Sequence, residues 1–291
     1  MLLYYHKDPG GNFGDDLNPW LWPRVFPGAF SGEVLHDPRE RMSFPSSEPL
    51  FVGIGTLLNQ HVPTDNRKIV FGTGVGYGDT PTLDESWDIR FVRGPRTARK
   101  LALDPSLGIT DPAVLAVDHF QGGAEGSLSP AFMPHCASIR RAEWDELCRD
   151  VGVRFIDPRW KVERVLSEIQ RTSVLLTEAL HGAIIADAFR VPWHALVTSP
   201  TVLEFKWFDW TESIGLDYRP SRLVTLWGPG SGRFGPLRHA AKKVLARRQL
   251  KDLLKSNQPV LSDERVLKEK KERIWGHVHK LRAEIEQGIR C

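Results

Sequence analysis

The sequence predicts an α/β protein built as two Rossmann-like domains facing a central cleft, followed by C-terminal helices. Three observations predict it. Short apolar runs that end in glycine-rich or basic loops recur through residues 1–118, as strand, loop and helix recur in a doubly wound sheet. A second series of alternating strand and helix patterns occupies residues 131–230. Between the two, residues 119–130 (HFQGGAEGSLSP) lack any period and carry glycines and Pro130, which marks a linker. The expected division is therefore an N-terminal α/β domain over 1–118, a linker over 119–130, a C-terminal α/β domain over 131–230, and basic helices over 231–291.

LLYYH at the N-terminus reads as a short buried strand. GGNFGDDLNPWLW follows it, and the glycines at 10, 11 and 14 free the backbone for a tight turn or for close approach of a ligand. Asp15 and Asp16 suit a helix start, for which Asn18-Pro19 offers a cap and first position, and Pro23 limits that helix to something short or kinked. Aimed into a cleft, the same acids would act as a base or accept from sugar hydroxyls; the residues alone leave both readings open. LFVGIG (50–55) and KIVFGTGVGYG (68–78) each run a buried strand into a glycine loop. GTGVGYG lacks the third glycine and the helix start of a dinucleotide fingerprint, so a loop that lets strand and neighbour approach closely is the simpler reading. DIRFVRGPRTARKLAL repeats the scheme with a basic loop: a strand over 88–92, Arg93-Gly94, and Pro95 at a natural first helical position. Arg93, at the strand's carboxyl end, and Arg96 suit a fork for phosphate or carboxylate, or equally a surface ion pair.

In the second series FMPHCAS reads as a strand, RAEWDELCRD as a helix, VRFIDP as a strand and KVERVLSEIQR as a helix. SVLLT, ALHGAIIADAF and WHALV then read as strand, helix and strand. His181 falls just after a buried strand, in the first turn of a helix, with Gly182 beside it. Unpaired amides and the helix dipole there would hold a phosphate or carboxylate next to an imidazole. A core histidine at a strand end accounts for the same pattern. Lys206 lies among Trp207, Phe208 and Trp210 in EFKWFDW, where it would neutralise a buried anion or extend from an apolar patch into solvent.

Of the 291 residues 41% are hydrophobic, enough to fill two domains. The N-terminal apolar run is interrupted at once by His6, Lys7 and Asp8, and no window approaches the ~20 apolar residues of a membrane span. A cytoplasmic protein is expected. Cys136, Cys148 and Cys291 have no metal-type spacing and read as free thiols. The net charge of +3 is uneven: thirteen Lys or Arg face five acids between Arg233 and Arg273. That tail reads as two charged helices separated by SNQPVLS. In the first of them Leu237, Ala241, Val244 and Leu245 share one stripe, expected to pack across the two domains and leave the cations outward.

The order GNFGDDLNPWLW, FGTGVG, FVRGPRT, TDPAVL, MPH and LHGAIIADAFRVPW resembles the polysaccharide pyruvyl transferases, most of all their succinoglycan-type members, over residues 1 to about 215. The resemblance implies a fold similar to glycosyltransferases of the B type. It also implies transfer of pyruvyl from phosphoenolpyruvate onto a sugar of an exopolysaccharide repeat unit, forming a pyruvate ketal and releasing phosphate. On this resemblance the donor-binding arginine is Arg93, the catalytic histidine is His181 and the later lysine is Lys206. Gly11 and Asn12 would approach the substrates, Asp15 or Asp16 would face acceptor hydroxyls, and Arg96 and Gly182 complete the candidate set. Many members carry arginine two positions before the histidine; this chain has Ala179, which moves anion binding onto Arg93, Lys206 and the helix amides. His181 is the expected proton donor, kept protonated by bound phosphate, and no step calls for a metal or a cofactor. No nucleic-acid partner is expected. Acceptors in the family are commonly lipid-linked, which implies peripheral contact of the basic tail with a membrane. Two rivals stay open: a nucleotide-sugar glycosyltransferase, which would need a ribose-binding acid such as Glu204, and a non-catalytic partner in surface-polysaccharide assembly.

Overall fold

Strands that are apolar on both faces belong inside a parallel sheet with helices on either side, and two such sheets organise this chain. The computed structural model describes residues 1–37, 39, 47–122, 129–139, 142–226, 235–256 and 259–287. The first half comprises β1 (Leu2–Tyr5), α1 (Phe13–Val25), β2 (Gly32–Leu35), β3 (Leu50–Val52), β4 (Lys68–Phe71), β5 (Trp87–Phe91) and α2 (Pro95–Lys100), then a 3-10 helix over Pro112–His119. The second comprises β6 (Ser129–Met133), α3 (Cys136–Ile139), α4 (Trp144–Val151), β7 (Arg154–Phe155), α5 (Val162–Gln170), β8 (Thr172–Thr177), α6 (Leu180–Ala188), β9 (Trp193–Val197), α7 (Glu204–Ser213) and β10 (Ser221–Arg222). Two long helices follow, α8 (Gly235–Ser256) and α9 (Glu264–Glu286).

All sheet pairings are parallel, in the orders β2-β1-β3-β4-β5 and β10-β9-β8-β6-β7. Numbered within its own half, each sheet reads 2-1-3-4-5. Each chain path therefore reverses direction beside its first strand, and the crevice beyond the strand ends at that point is where such sheets bind ligands. The two Rossmann-like bodies and the C-terminal helices expected from the sequence are present. No gap in the core separates them: one apolar cluster joins Phe13, Leu17, Trp22 and Phe71 to Leu175, Ile184, Trp193 and Trp210. The expected linker falls partly on residues 123–128, outside the described residues.

Several local expectations are corrected. The first helix begins at Phe13, not after Asn18: Asn12 is its cap, accepting from the Gly14 amide at 3.2 Å. The helix runs through Pro19 and Pro23. Pro19 cannot donate to the Asp15 carbonyl, and the Asn18 side-chain amide donates to that oxygen instead, at 3.2 Å. FMPHCAS is divided between the end of β6 and the short α3. α8 does not bury the Leu237, Ala241, Val244 and Leu245 stripe; it packs on α4 through Ala246 and Leu250, which are 0% exposed, with Lys243 paired to Glu143 and Glu146. The helix that crosses to the first half is α9, where Arg90 pairs with Glu284 and Arg282 donates to the Val25 carbonyl. Cys136 and Cys148 are buried thiols. Among the described residues no helix is long and apolar enough to cross a membrane.

Candidate active site

A cavity of about 300 Å³ opens at the carboxyl ends of both sheets. From the first half come residues after β1 (His6, Asp8, Asn12, Gly14, Asp15), after β3 (Gly55, Thr56) and after β4 (Tyr77). The second half supplies His135 after β6, Pro158 after β7, Ala179 to His181 after β8, and Lys206 on α7. Both reversal points thus face one space, and residues far apart in sequence meet there.

His181 is held at the start of α6 with its ring against the backbone of α1. A Cβ placed on Gly14 would stand 2.1 Å from His181 Nδ1, so only glycine leaves room for the imidazole. This is the physical reason for the third glycine of the GGNFG stretch. Nε2 is buried and has no hydrogen-bond partner; Asp111 Oδ2, equally buried and unpartnered, lies 3.7 Å away. Burial, helped by the positive charge of Lys206 and Arg93 and by His135, pushes His181 down to about 3 in the free protein. The ring of the free protein is therefore neutral at pH 7. No side chain caps α6, so its first amides are left to the cavity rim formed by Ala179, Leu180 and His181.

Asp15 lies in the first turn of α1 and accepts from the Asn12 side-chain amide at 2.6 Å. Burial raises it to about 7, against the opposing pull of His6, the Asn12 hydrogen bond and Lys206. It can therefore take or give a proton near neutrality. Lys206 makes no ion pair among the described residues; its ammonium lies 6.0 Å from the centre of the Tyr77 ring. A cation lining a cavity with no carboxylate bound to it is suited to an anionic ligand.

Arg93 occupies a different position from these four. It is 1% exposed and does not line the cavity. Its guanidinium donates to Asp209 Oδ2 (3.0 Å), the Gly55 carbonyl (3.2 Å), Thr56 Oγ1 (2.9 Å) and the Val75 carbonyl (3.0 Å). Arg93 thus stands behind the wall that Gly55 and Thr56 present to the cavity and ties it to α7. Gly74 makes the space for that guanidinium, since a Cβ there would lie 2.4 Å from Arg93 Cζ; the glycine loop after β4 serves close packing. Asp209 also accepts from the Thr97 amide at 2.8 Å, capping α2 from another element.

Asn12, Asp15, His181 and Lys206 are therefore brought together, whereas Arg96, Asp16, Gly11 and Gly182 are not. Arg96 pairs with Glu212 at 2.7 Å and stacks on Phe208. Asp16 accepts from the Asn12 amide at 3.4 Å. Gly11 adopts a positive φ of 83° against Arg159, and Gly182 packs on Met133 and Thr177. Glu204, the acid that a nucleotide-sugar reading would use, pairs with Arg222 at 2.5 Å and is not among the lining residues. Sequence reasoning missed His6, Thr56, Tyr77, His135 and Asp111. His135 and Asp111 stand in MPH and TDPAVL, stretches noticed for their order alone, and Asp111 before Pro112 is a recognisable helix cap. Among the described residues no group of three or more His, Cys, Asp or Glu could hold a metal ion.

The family description "Polysaccharide pyruvyl transferase" matches residues 12–200, which include every second-half lining residue except Lys206. The chain is also similar to the succinoglycan biosynthesis protein ExoV of Rhizobium meliloti (strain 1021), with 43% identity over 228 residues, 77% of this chain and 68% of the relative. With one family description covering more than half its length, and a relative this similar over two thirds of both chains, the protein belongs to the polysaccharide pyruvyl transferase family of enzymes.

Proposed function

We propose that the protein transfers pyruvyl from phosphoenolpyruvate to two hydroxyls of a sugar in an exopolysaccharide repeat unit, forming a pyruvate ketal and releasing phosphate. The observation that carries this reading is the convergence of one unpaired cation, a histidine whose Nε2 is buried and one carboxylate poised near pH 7 on a single cavity, in a member of this family. A nucleotide-sugar donor is less well served, because Glu204 is engaged elsewhere.

Phosphate and carboxylate of the donor would lie by Lys206 and the first amides of α6, with Arg93 adding positive charge from behind the wall. Donor anions beside the ring offset the burial and the positive charges that hold His181 neutral, so the imidazolium forms when the donor binds. His181 then gives its proton to C3 of the enol. The C2=C3 electron pair forms the new C–H bond, and the positive charge left on C2 is met by the oxygen of the first hydroxyl, whose proton passes to Asp15. In the second stage the C2–O bond to phosphate breaks, Asp15 returns its proton to the leaving phosphate, and the second hydroxyl closes the ketal as His181 takes its proton. Both groups end as they began. A thermal melt tests the donor: phosphoenolpyruvate at about a hundred times its Kd adds roughly 2.7 kcal/mol. A UDP- or GDP-sugar that shifts the melt, with phosphoenolpyruvate inert, would establish the rival.

The same reading includes reversible contact with an anionic membrane, where a lipid-linked acceptor would be met. Its support is the outer face of α8: Leu237, Val244 and Leu245 are 71%, 64% and 45% exposed, and Arg238, Lys251 and Lys255 beside them have no ion pair among the described residues. Apolar side chains rimmed by free cations complement an anionic headgroup layer.

A further inference from the structure

The geometry points to Asp111 as a positioning residue that, by accepting the Nε2–H of His181, fixes the ring tautomer and steadies the imidazolium. This deepens the proposed role of His181 and rests on it.

Asp111 follows β5 and α2 in the first half, whereas His181 begins α6 in the second. The two are brought together because the 3-10 helix over Pro112–His119 packs against α6 and α1. Asp111 is 0% exposed. Its Oδ1 caps the 3-10 helix, accepting from the Ala113 amide at 3.0 Å. Oδ2 has no partner, and His181 Nε2, itself buried and unpartnered, lies 3.7 Å from it. That distance is too long for a hydrogen bond, so in the free protein the carboxylate favours the Nε2–H tautomer through its charge alone. Two orphaned, complementary polar atoms facing each other inside a core form an arrangement that becomes favourable once the ring carries charge. With Nε2 turned inward to a carboxylate, Nδ1, against Gly14, is the nitrogen left to exchange a proton with substrate.

Arg93 and Asp209 act on Asp111, while Lys206, Arg93 and His135 act on His181. Burial lifts Asp111 to about 6, which still leaves it ionised at neutral pH. A carboxylate that holds an imidazole in one tautomer and stabilises its protonated form is the division of labour known from hydrolytic triads, here used on an addition to an enol.

Asp111→Asn isolates the role, because an amide oxygen keeps the cap on Ala113 while the amide nitrogen can only donate to Nε2. Two readouts are needed. Nitrogen NMR of the His181 ring in the free native protein should show the proton on Nε2, and in Asp111→Asn on Nδ1. Steady-state kinetics with phosphoenolpyruvate should show kcat lowered about 10²- to 10⁴-fold with the donor KM within about threefold. A native ring protonated on Nδ1 overturns the inference, whether or not the variant folds. So does a variant with native melting, unchanged tautomer and kcat within about threefold. Should native protein not turn over phosphoenolpyruvate at all, the donor reading fails, while the tautomer measurement still decides the Asp111–His181 pairing.

Discussion

Gly14→Ala places a methyl group 2.1 Å from His181 Nδ1, 2.8 Å from Cε1 and 2.9 Å from Cγ. Ordinary contact begins near 3.5 Å, so the ring must retreat by about 1.4 Å or rotate away. The helix itself would tolerate the change. Gly14 is in the first turn of α1, and alanine is up to about 1 kcal/mol better than glycine in a helix. Crowding costs about 1–3 kcal/mol, leaving a net loss of no more than about 3 kcal/mol. Catalysis has less tolerance, since a displacement of about 1 Å can cost about 10²-fold. The expected phenotype is therefore a folded protein with a melt a few degrees lower, donor binding retained, and phosphate release reduced about 10²-fold or more. Gly276→Ala is the control: a Cβ on this α9 residue meets nothing within 4 Å. Calorimetry and a phosphate-release assay read both variants side by side. Were Gly14→Ala to turn over within about threefold of native, the claim that the glycine exists to seat the imidazole would be falsified.

His181→Ala should keep donor binding and lose turnover by ~10²–10⁴, whereas Lys206→Met should raise the donor Kd as well as slow turnover; titration calorimetry beside kinetics separates the two. Arg93→Ala leaves Asp209 buried without its partner, so a loss of about 3–5 kcal/mol in denaturant unfolding is expected, with cavity function failing as a consequence of the displaced wall. An Arg93→Ala protein of native stability would contradict that account. For pH, the folded state holds His181 near 3, below its ordinary 6.5, so its contribution to stability is full above 6.5 and is lost as pH falls toward 3. Asp15 runs the opposite way: held near 7, it favours the folded state below its ordinary 3.8, and that advantage is lost as pH rises through 7. Asp15→Asn should therefore gain stability relative to native at pH 8 but not at pH 3.5, read from urea melts. Finally, protein should float with anionic vesicles at low salt and not with neutral ones, and Arg238, Lys242, Arg248 and Lys251 changed together to Gln should abolish it; equal flotation on both vesicles would show that charge plays no part.

Element types were largely legible because buried parallel strands and their following glycine or basic loops leave strong local marks, as LLYY, KIVF and SVLLT did. β2 (GEVL) and the two-residue β10 are too short and too polar to announce themselves. Asn18-Pro19 misled because its caplike pattern serves a mid-helix repair, which depends on a hydrogen bond no pattern displays. The face of α8 that packs was misread because it carries alanine, lysine and arginine as well as leucine; acids on α4 decide which side turns inward. In the site, His181 and Asp15 could be read from a strand end and a helix start and Lys206 from its aromatic neighbours, whereas Asn12 came only with the family resemblance. The burial of Arg93 could not, since it depends on Asp209, 116 residues away, and on space left by Gly74. Asp111 went unnoticed for the same reason: its meaning lies in a partner 3.7 Å away in space and seventy residues away in sequence.

The later part of this chain lends two helices to the first half. α7 and α9 are encoded after the second sheet has begun, yet α7 caps and pairs with α2 through Asp209 and Glu212, and α9 binds Arg90, Val25 and Asp118. A fragment ending at residue 118 would keep the Arg93 guanidinium but lose its carboxylate, and would leave Phe91 without His277. Such halves are not interchangeable modules. A chimera that joined the first half of this chain to the second half of a relative would inherit a foreign α7 and a foreign α9, and would fold only if those helices still carried matching partners. Recombination within such a lineage is therefore confined to crossovers that move each helix together with the surface it covers.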